Sequence, residues 1–598
     1  MPQTAFGRKS YRKGRALDRS TDFLPRVVAG DPNGDSDRLA GCDTGHPGRA
    51  DSNRSFRRFD IGFPTRSFWY LKGRVAAMAI IVATPFARHR SRPVEVARSD
   101  GARIAGCAAT ALVAVTTSGL FASSYVVLVV SLLAMGVLVL AWLTLRHRLA
   151  AMTTTEAYMT SAVWALPLMV ARPLFSGDLW SYLAQGITAA SGLDPYRLGP
   201  AQALGPDSVV TQHVSHYWLD TPAPYGPAWL TISRAVAEIN GNWIVPSVLL
   251  YRLIALVGVV LIGWALPRLA RRVGLSPAYA LWLGLLNPLM LWHLVAGAHN
   301  DAVMLGAMLA GMELALAALG RTRAGAAQGF VKADPMRLVA GVALLTVAAS
   351  IKIVAAAAIC CVAAEVARRR GGSVRSALLV MSGATAGMVL LCAVGGFGWL
   401  SALRSSATVY SWMAPTTATG LLVGALIGAH ATATAVTIAN AIGAVVCLPV
   451  VIRLLLNVYR GRTNPLRSLG LIFVVALLCG PVVQPWYLLW ALLPLAATAS
   501  RHRERTALAA VSTVVALVLP PLAASAADLV VGYVTAATVV GTVAILAGRR
   551  RRSPSMAHRR LHIPAQASAG PALALALALA RMGPARHGPA KATATPVA

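Results

Sequence analysis

Between residues 103 and 547 the chain is a succession of about fourteen apolar runs, and every second gap between them carries arginine. The runs are 103–121, 124–145, 157–174, 245–267, 277–296, 301–319, 337–350, 353–367, 376–395, 434–455, 467–483, 486–499, 507–523 and 527–547. A bilayer core about 30 Å thick is crossed by about 20 helical residues, fewer where a helix is broken or re-entrant. Lipid offers backbone groups no partners, so runs of this kind predict an all-α polytopic membrane protein with about 12–14 transmembrane helices. Composition agrees: 13% of residues are charged and 56% hydrophobic, where a soluble domain carries about 25% charged residues. The runs 337–350 and 353–367 read either as one tilted helix or as two short ones meeting at "SIK".

The arginines orient the runs. Arg146 and Arg148, Arg268, Arg271 and Arg272, Arg321 and Arg323, Arg368 to Arg370, Arg460 and Arg462, and Arg501, Arg503 and Arg505 fall on alternate connections. By the positive-inside rule these are cytoplasmic, and an even number of spans puts both termini there too. The first long loop, 175–244, is then extracytoplasmic; it holds five acids against Arg197 and Arg234. The chain is expected in the plasma membrane as a multi-pass protein. A net charge of +33 raises the question of nucleic acid. The basic residues sit in short clusters between apolar runs rather than on one soluble face, so no nucleic-acid partner is expected.

The flanks are different material. Residues 1–100 hold 19 Lys or Arg against 10 Asp or Glu with no periodic apolar pattern, and read as a disordered basic cytoplasmic region. The membrane domain is expected over 101–547. Residues 548–598 open on "RRRRSPS", pass through "ALALALALA", and read as a basic low-complexity cytoplasmic tail. The seven cysteines form no CxxC pair, and all but Cys42 lie in apolar runs, so neither a disulfide framework nor a zinc site is indicated.

Unusual polar residues collect on the side opposite the arginine clusters. They lie in "FSGDLWSYLAQG", "LDTPAPYGPAWL", "LVAGAHNDAVMLG", "SIKIVA" and "VVQPWYLLW". Nine of the fourteen tryptophans fall on that side as well. They read either as an interfacial belt or as a cleft whose rings stack on sugar faces. Asp178 suits two roles. It could cap the helix that "LWSYLAQG" begins, or act as a general base that Trp180 and Tyr182 partly dehydrate, burial raising its affinity for protons. Asn300 and Asp301 suit a helix N-cap equally well, and with His299 they are candidate binding residues where an apolar run restarts. Lys352 either snorkels or, with Arg172, Arg252 or Arg404, neutralises an anionic leaving group such as a lipid phosphate. Pro224 and Pro227 stiffen a loop that would present Tyr225 and Trp229 to a sugar, and Gln484, Trp486 and Tyr487 join that candidate set. His293 and His299 are six residues apart, the wrong spacing for two ligands on one helix face, so no metal is expected. With no Walker loop, Rossmann fingerprint or HExxH, no cofactor is expected either.

Taken in order, "FSGDLWSYLAQG", "GLDPYRLGPA", "TPAPYGPAWL", "LNPLMLWHLVAGAHNDAVMLG" and "VVQPWYLLWALLPLA" resemble the actinobacterial polyprenol-phosphomannose-dependent alpha-(1→6)-mannopyranosyltransferases. The resemblance runs over roughly 100 to 550, and "QPWYLLWALLP" is nearer the B-type than the A-type. It implies a GT-C-type fold, a polyprenyl monophosphomannose donor, and a mannosylated phosphatidylinositol or related glycolipid acceptor among membrane lipids. It also implies an alpha-(1→6) product in lipomannan and lipoarabinomannan backbone synthesis, made with inversion, and an acidic base in the first long outer loop, here Asp178. A transporter or lipid flippase would place its polar residues near mid-membrane with pseudo-symmetric halves, and no such repeat is visible. Another GT-C enzyme, such as an arabinosyltransferase, is the nearest enzymatic alternative.

Overall fold

The structure, a computed structural model, describes residues 93–121, 123–241, 243–320, 334–401, 411–522 and 526–552. The N-terminal region through residue 92, the tail beyond 552 and Arg404 lie outside the described residues. Among the described residues the chain is helical, with no strand. Five helices are long and apolar enough to cross a membrane: Ser124–Arg148, Ile244–Arg272, Asp301–Ala318, Val374–Gly395 and Thr432–Tyr459.

Several of the remaining apolar runs are short or broken, and the breaks have local causes. In the run 277–296 a helix over Pro277–Leu283 stops at Asn287–Pro288, and a π-helical turn over Met290–Ala296 follows. Pro288 lacks an N–H, and the Asn287 amide takes over the freed groups. Its Nδ2 donates to Leu283 O (2.9 Å) and Ser512 Oγ (3.0 Å), and its Oδ1 accepts from Leu289 N–H (2.9 Å). The "SIK" stretch resolves into two helices, Pro335–Ile351 and Ala356–Arg369, parted by Lys352 in an extended conformation (φ −139°, ψ 124°). Gln484 is extended in the same way (φ −123°, ψ 154°) before the short turn Pro485–Tyr487 and the helix Leu488–Ala496. A helix over Pro415–Ile427 lies inside what reads from sequence as a connection. At 13 residues it is about 20 Å long, too short to cross alone. It lies against Thr432–Tyr459, so close that a Cβ on Gly420 would come 2.4 Å from Val436 Cα.

The central helices Ile244–Arg272 and Asp301–Ala318 meet backbone to backbone. A Cβ on Gly258 would fall 2.2 Å from Ala302 O, and one on Gly306 would fall 2.5 Å from Gly258 O. Small residues at such crossings let membrane helices pack by contact where lipid supplies no hydrophobic drive. One end of this bundle is closed by arginines. Arg272 forks onto both Glu313 oxygens, Arg368 and Arg369 hold Glu365, and Arg369 Nη1 donates to Leu319 O and Gly320 O at 2.9 and 2.8 Å. The breaks at Lys352 and Gln484, the turn before Asp301 and the segment before Asp178 lie together at the other end.

Candidate active site

Two hinges shape that end. Phe175 (φ 68°) and Ala298 (φ 48°) are the non-glycine residues with positive φ among the described residues. Such conformations cost about 1–3 kcal/mol each and persist where surroundings impose them. Phe175 N–H is held by Pro521 O (2.9 Å), and its ring rests on Trp292 (5.4 Å) and His293 (5.3 Å). Phe175 turns the chain into Asp178, and Ala298 turns it into His299.

Asp178 opens the helix Asp178–Ala190, whose N-cap is Gly177 and carries no side-chain cap bond. The carboxylate therefore does not serve as the cap that the sequence leaves open. Its Oδ2 lies 3.2 Å from His299 Nδ1, with the aspartate side chain 14% exposed and the imidazole fully buried. The contact is close but not aligned, since neither His299 nitrogen makes a well-directed hydrogen bond. Burial pushes the Asp178 carboxyl up, but the His299 contact and charge, with Lys352 and Ser176, outweigh it and hold the group below the usual carboxylate value of 3.8. The expectation that burial makes this acid more basic is thus corrected, because His299, Lys352 and Ser176 beside it favour the ionised form.

Asp301 is the fully engaged acid of the site. Lys352 Nζ reaches its Oδ2 at 2.6 Å and Trp490 Nε1 its Oδ1 at 2.7 Å. It caps no helix end by side chain, and nor does Asn300. The lysine sits in an aromatic cage, 5.0 Å from the Tyr487 ring, 5.7 Å from Tyr225 and 5.8 Å from Trp490. Tyr225 is delivered by a backbone splice: Gly226 N–H donates to Ile351 O (3.1 Å). A Cβ on Gly226 would lie 2.2 Å from Ser350 O. Only glycine allows that approach.

Around these two acids the structure gathers most of the sequence candidates. Tyr182 packs edge-on against Tyr225 (5.2 Å) and Trp229 (4.9 Å), and its OH accepts from Asn300 N–H at 3.4 Å. Trp486 stacks on His299 with centroids 4.0 Å apart. Trp180 is half-buried and stacks on His213 (4.4 Å). Gln484 is half-buried at the chain break before Trp486. The cations divide. Arg252 is buried and gives its donors to the carbonyls of Met169 (2.9 Å) and Ala296 (3.4 Å), tying a helix end to the π-turn. Arg172 is exposed beside Gly119.

Sequence reasoning missed His293 and Tyr251 as parts of this site, and counted Trp292 and Trp490 only among the nine tryptophans on that side. His293 was not findable, because the π-turn and the Ala298 hinge bring His299 N–H onto His293 O (3.2 Å) across six residues. Trp292 Nε1, His293 Nδ1, both His299 nitrogens, the Asn300 amide and Trp486 Nε1 are buried without a hydrogen-bond partner. Folded proteins leave few such atoms unpaired. A set of them stands beside two acids and a caged lysine, and the described fold offers those atoms no partner.

An all-helical bundle with an acid at the start of its first long loop, beside this polar cluster, is that of a GT-C-type glycosyltransferase. Residues 100–368 match the alpha-(1->6)-mannopyranosyltransferase N-terminal domain, and residues 415–547 match the MptB C-terminal domain. An alpha-(1->6)-mannopyranosyltransferase of Mycobacterium tuberculosis is 40% identical over 60% of this chain and 68% of its own length. Alpha-(1->6)-mannopyranosyltransferase B of Corynebacterium glutamicum is 33% identical over 62% of this chain and 65% of its own. Alpha-(1->6)-mannopyranosyltransferase A of Mycobacterium tuberculosis is 34% identical over 64% and 74%. No solved structure matches the chain. The chain belongs to the alpha-(1->6)-mannopyranosyltransferase family, and it is a membrane-bound mannosyltransferase.

Proposed function

We propose that this enzyme transfers mannose from polyprenyl monophosphomannose to O6 of a mannosylated phosphatidylinositol or related glycolipid, at the extracytoplasmic face of the plasma membrane, with both termini cytoplasmic. The product is the alpha-(1→6) backbone of lipomannan and lipoarabinomannan. The match of residues 415–547 to the MptB C-terminal domain favours the B-type role, which starts that backbone. The arginine-closed end of the bundle and the acidic loop at the other support this orientation.

One observation carries the chemistry: Asp178, partly exposed and free of capping duty, stands beside the caged Lys352 and a cluster of buried polar atoms that the fold leaves unpaired. A beta-linked donor and an alpha-linked product require inversion, for which a single displacement with one base suffices. The acceptor O6–C1 bond forms as the C1–O bond to phosphate breaks. The electron pair leaves on the phosphate oxygen, and the O6 proton passes to the Asp178 carboxylate. The lipid phosphate gains a negative charge in that step, and Lys352, held in place by Asp301, stabilises it. Trp180, Tyr182, Tyr225, Trp229, Trp486 and Tyr487 supply ring faces for sugar, and Asn300 and Gln484 supply amides. The test is Asp178→Asn in membranes given labelled polyprenyl phosphomannose and acceptor. Mannosyl incorporation is expected to vanish, whereas wild-type incorporation removes the base.

A further inference from the structure

We propose that His299 is a positioning residue for the base: its Nδ1–H donates to Asp178 Oδ2 in the working complex and turns the second carboxylate oxygen toward the acceptor hydroxyl. This rests on Asp178 acting as the base. It departs from the assignment of His299 to sugar binding, and three observations carry it.

The first is distance. His299 Nδ1 stands 3.2 Å from Asp178 Oδ2, and the contact joins segments 121 residues apart in sequence that approach through the Phe175 and Ala298 hinges. Catalytic hydrogen bonds are often loose before substrate binds and tighten in the complex. The second is rigidity. The imidazole cannot rotate freely, since one face is stacked on Trp486 at 4.0 Å and its edge is met by His293 at 5.9 Å. The third is the other nitrogen. With Nδ1 carrying the proton toward Asp178, Nε2 is a buried acceptor with no protein donor. Among the described residues no group therefore competes for the ring by pulling its proton to the other nitrogen.

Other groups facing Asp178 leave this role open. Lys352 is committed to Asp301 at 2.6 Å. Tyr182, Tyr225 and Tyr487 feel the Asp178 charge. Tyr182 OH already takes the Asn300 N–H. Ser176 Oγ accepts the Asp178 backbone N–H at 2.9 Å and its hydroxyl also favours the ionised carboxylate, from within the acid's own turn. His293 is buried and packs on Phe175 (5.3 Å) and Trp486 (5.4 Å).

The experiment compares His299→Asn, His299→Gln and His299→Leu with Asp178→Asn in the full-length protein, following kcat, KM and the pH profile of kcat/KM. Asparagine keeps an N–H near the Nδ1 position, and glutamine and leucine do not. His299→Leu and His299→Gln are expected to lose about 10–100-fold in kcat, the cost typical of removing a group that orients a reacting one, with donor KM unchanged. The sign on pH is fixed by the resting site. Activity needs the ionised acid, which His299 helps to hold below 3.8, so activity falls only as pH drops through that low value. Without His299 the push from burial is less opposed, and the acid limb moves to higher pH. His299→Asn is expected to keep the wild-type limb and most of kcat. An unshifted limb and wild-type kcat in His299→Leu, with Asp178→Asn inactive, overturn the pairing and leave the base standing. An active Asp178→Asn overturns the base itself.

Discussion

Both ends of the bundle hold buried carboxylates, but they satisfy them differently. At the arginine-rich end the buried Glu313 is closed by the fork of Arg272 and the buried Glu365 by Arg368 and Arg369, and the partly exposed Glu504 is held by Arg467. Hydrogen-bonded forks of this kind leave little for a ligand to do. At the opposite end Asp301 is equally complete, yet beside it stand Trp229, Tyr251, Trp292, His293, His299, Asn300 and Trp486, each with a buried polar atom that nothing pairs. The first end is finished by folding. The second keeps unmet hydrogen bonds, which the proposed substrate would complete.

The comparison breaks most sharply on Asp178. Asp178→Asn is expected to reduce transfer by about 10²–10⁴-fold, the usual contribution of a positioned base. The unfolding midpoint in detergent should be unchanged, because the side chain caps no helix. Arg272→Met should do the reverse. It strands Glu313, whose side chain is 8% exposed, and breaking a buried pair by removing one partner costs about 3–5 kcal/mol. Thermal unfolding should fall while kcat and KM of the surviving folded fraction stay at wild type. If Arg272→Met instead changed kcat at full stability, the arginine-rich end could not be treated as structure alone.

Next in size is the pair that belongs to both categories. Lys352→Met leaves Asp301 as an uncompensated charge, so stability and transfer should fall together. Adding Asp301→Asn removes the stranded charge and keeps an acceptor for Trp490 Nε1. The double variant is therefore expected to recover the unfolding midpoint without recovering transfer. Recovery of both would show that Lys352 acts only through packing, and recovery of neither would show that the charge pair organises the breaks on either side of it.

Which parts of this were legible in sequence follows from how far each interaction reaches. Apolar runs and arginine clusters are local, so the helices and the two ends of the bundle could be placed from them, down to Ser124–Arg148 and Thr432–Tyr459. Asp178 stood out because an acid beside a membrane-length run is rare. The helix Pro415–Ile427 was invisible because its length is below a span and its purpose is to lie on a neighbour. The Lys352–Asp301 bond joins residues 51 apart and the Trp490–Asp301 bond residues 189 apart, and no spacing rule relates them. The place of His293 depends on a π-turn, which has no recognised signature in residue order.

The smallest expected effect tests how far the site end extends. Trp180 is half-buried, stacks on His213 at 4.4 Å, and lies two residues after the base on a helix whose next turn carries Tyr182 into the pocket. Under the proposed function it is a ring that an acceptor sugar would meet on its way to Asp178. An aromatic stacking contact is worth about 0.5–1.5 kcal/mol, so Trp180→Ala should raise acceptor KM by roughly fivefold with kcat and donor KM unchanged. Trp180→Phe, which keeps a ring, should stay near wild type. Titrating acceptor at saturating donor reads this directly. A fall in kcat would move Trp180 inward to the reacting centre, and no change in any constant would return it to the interfacial belt.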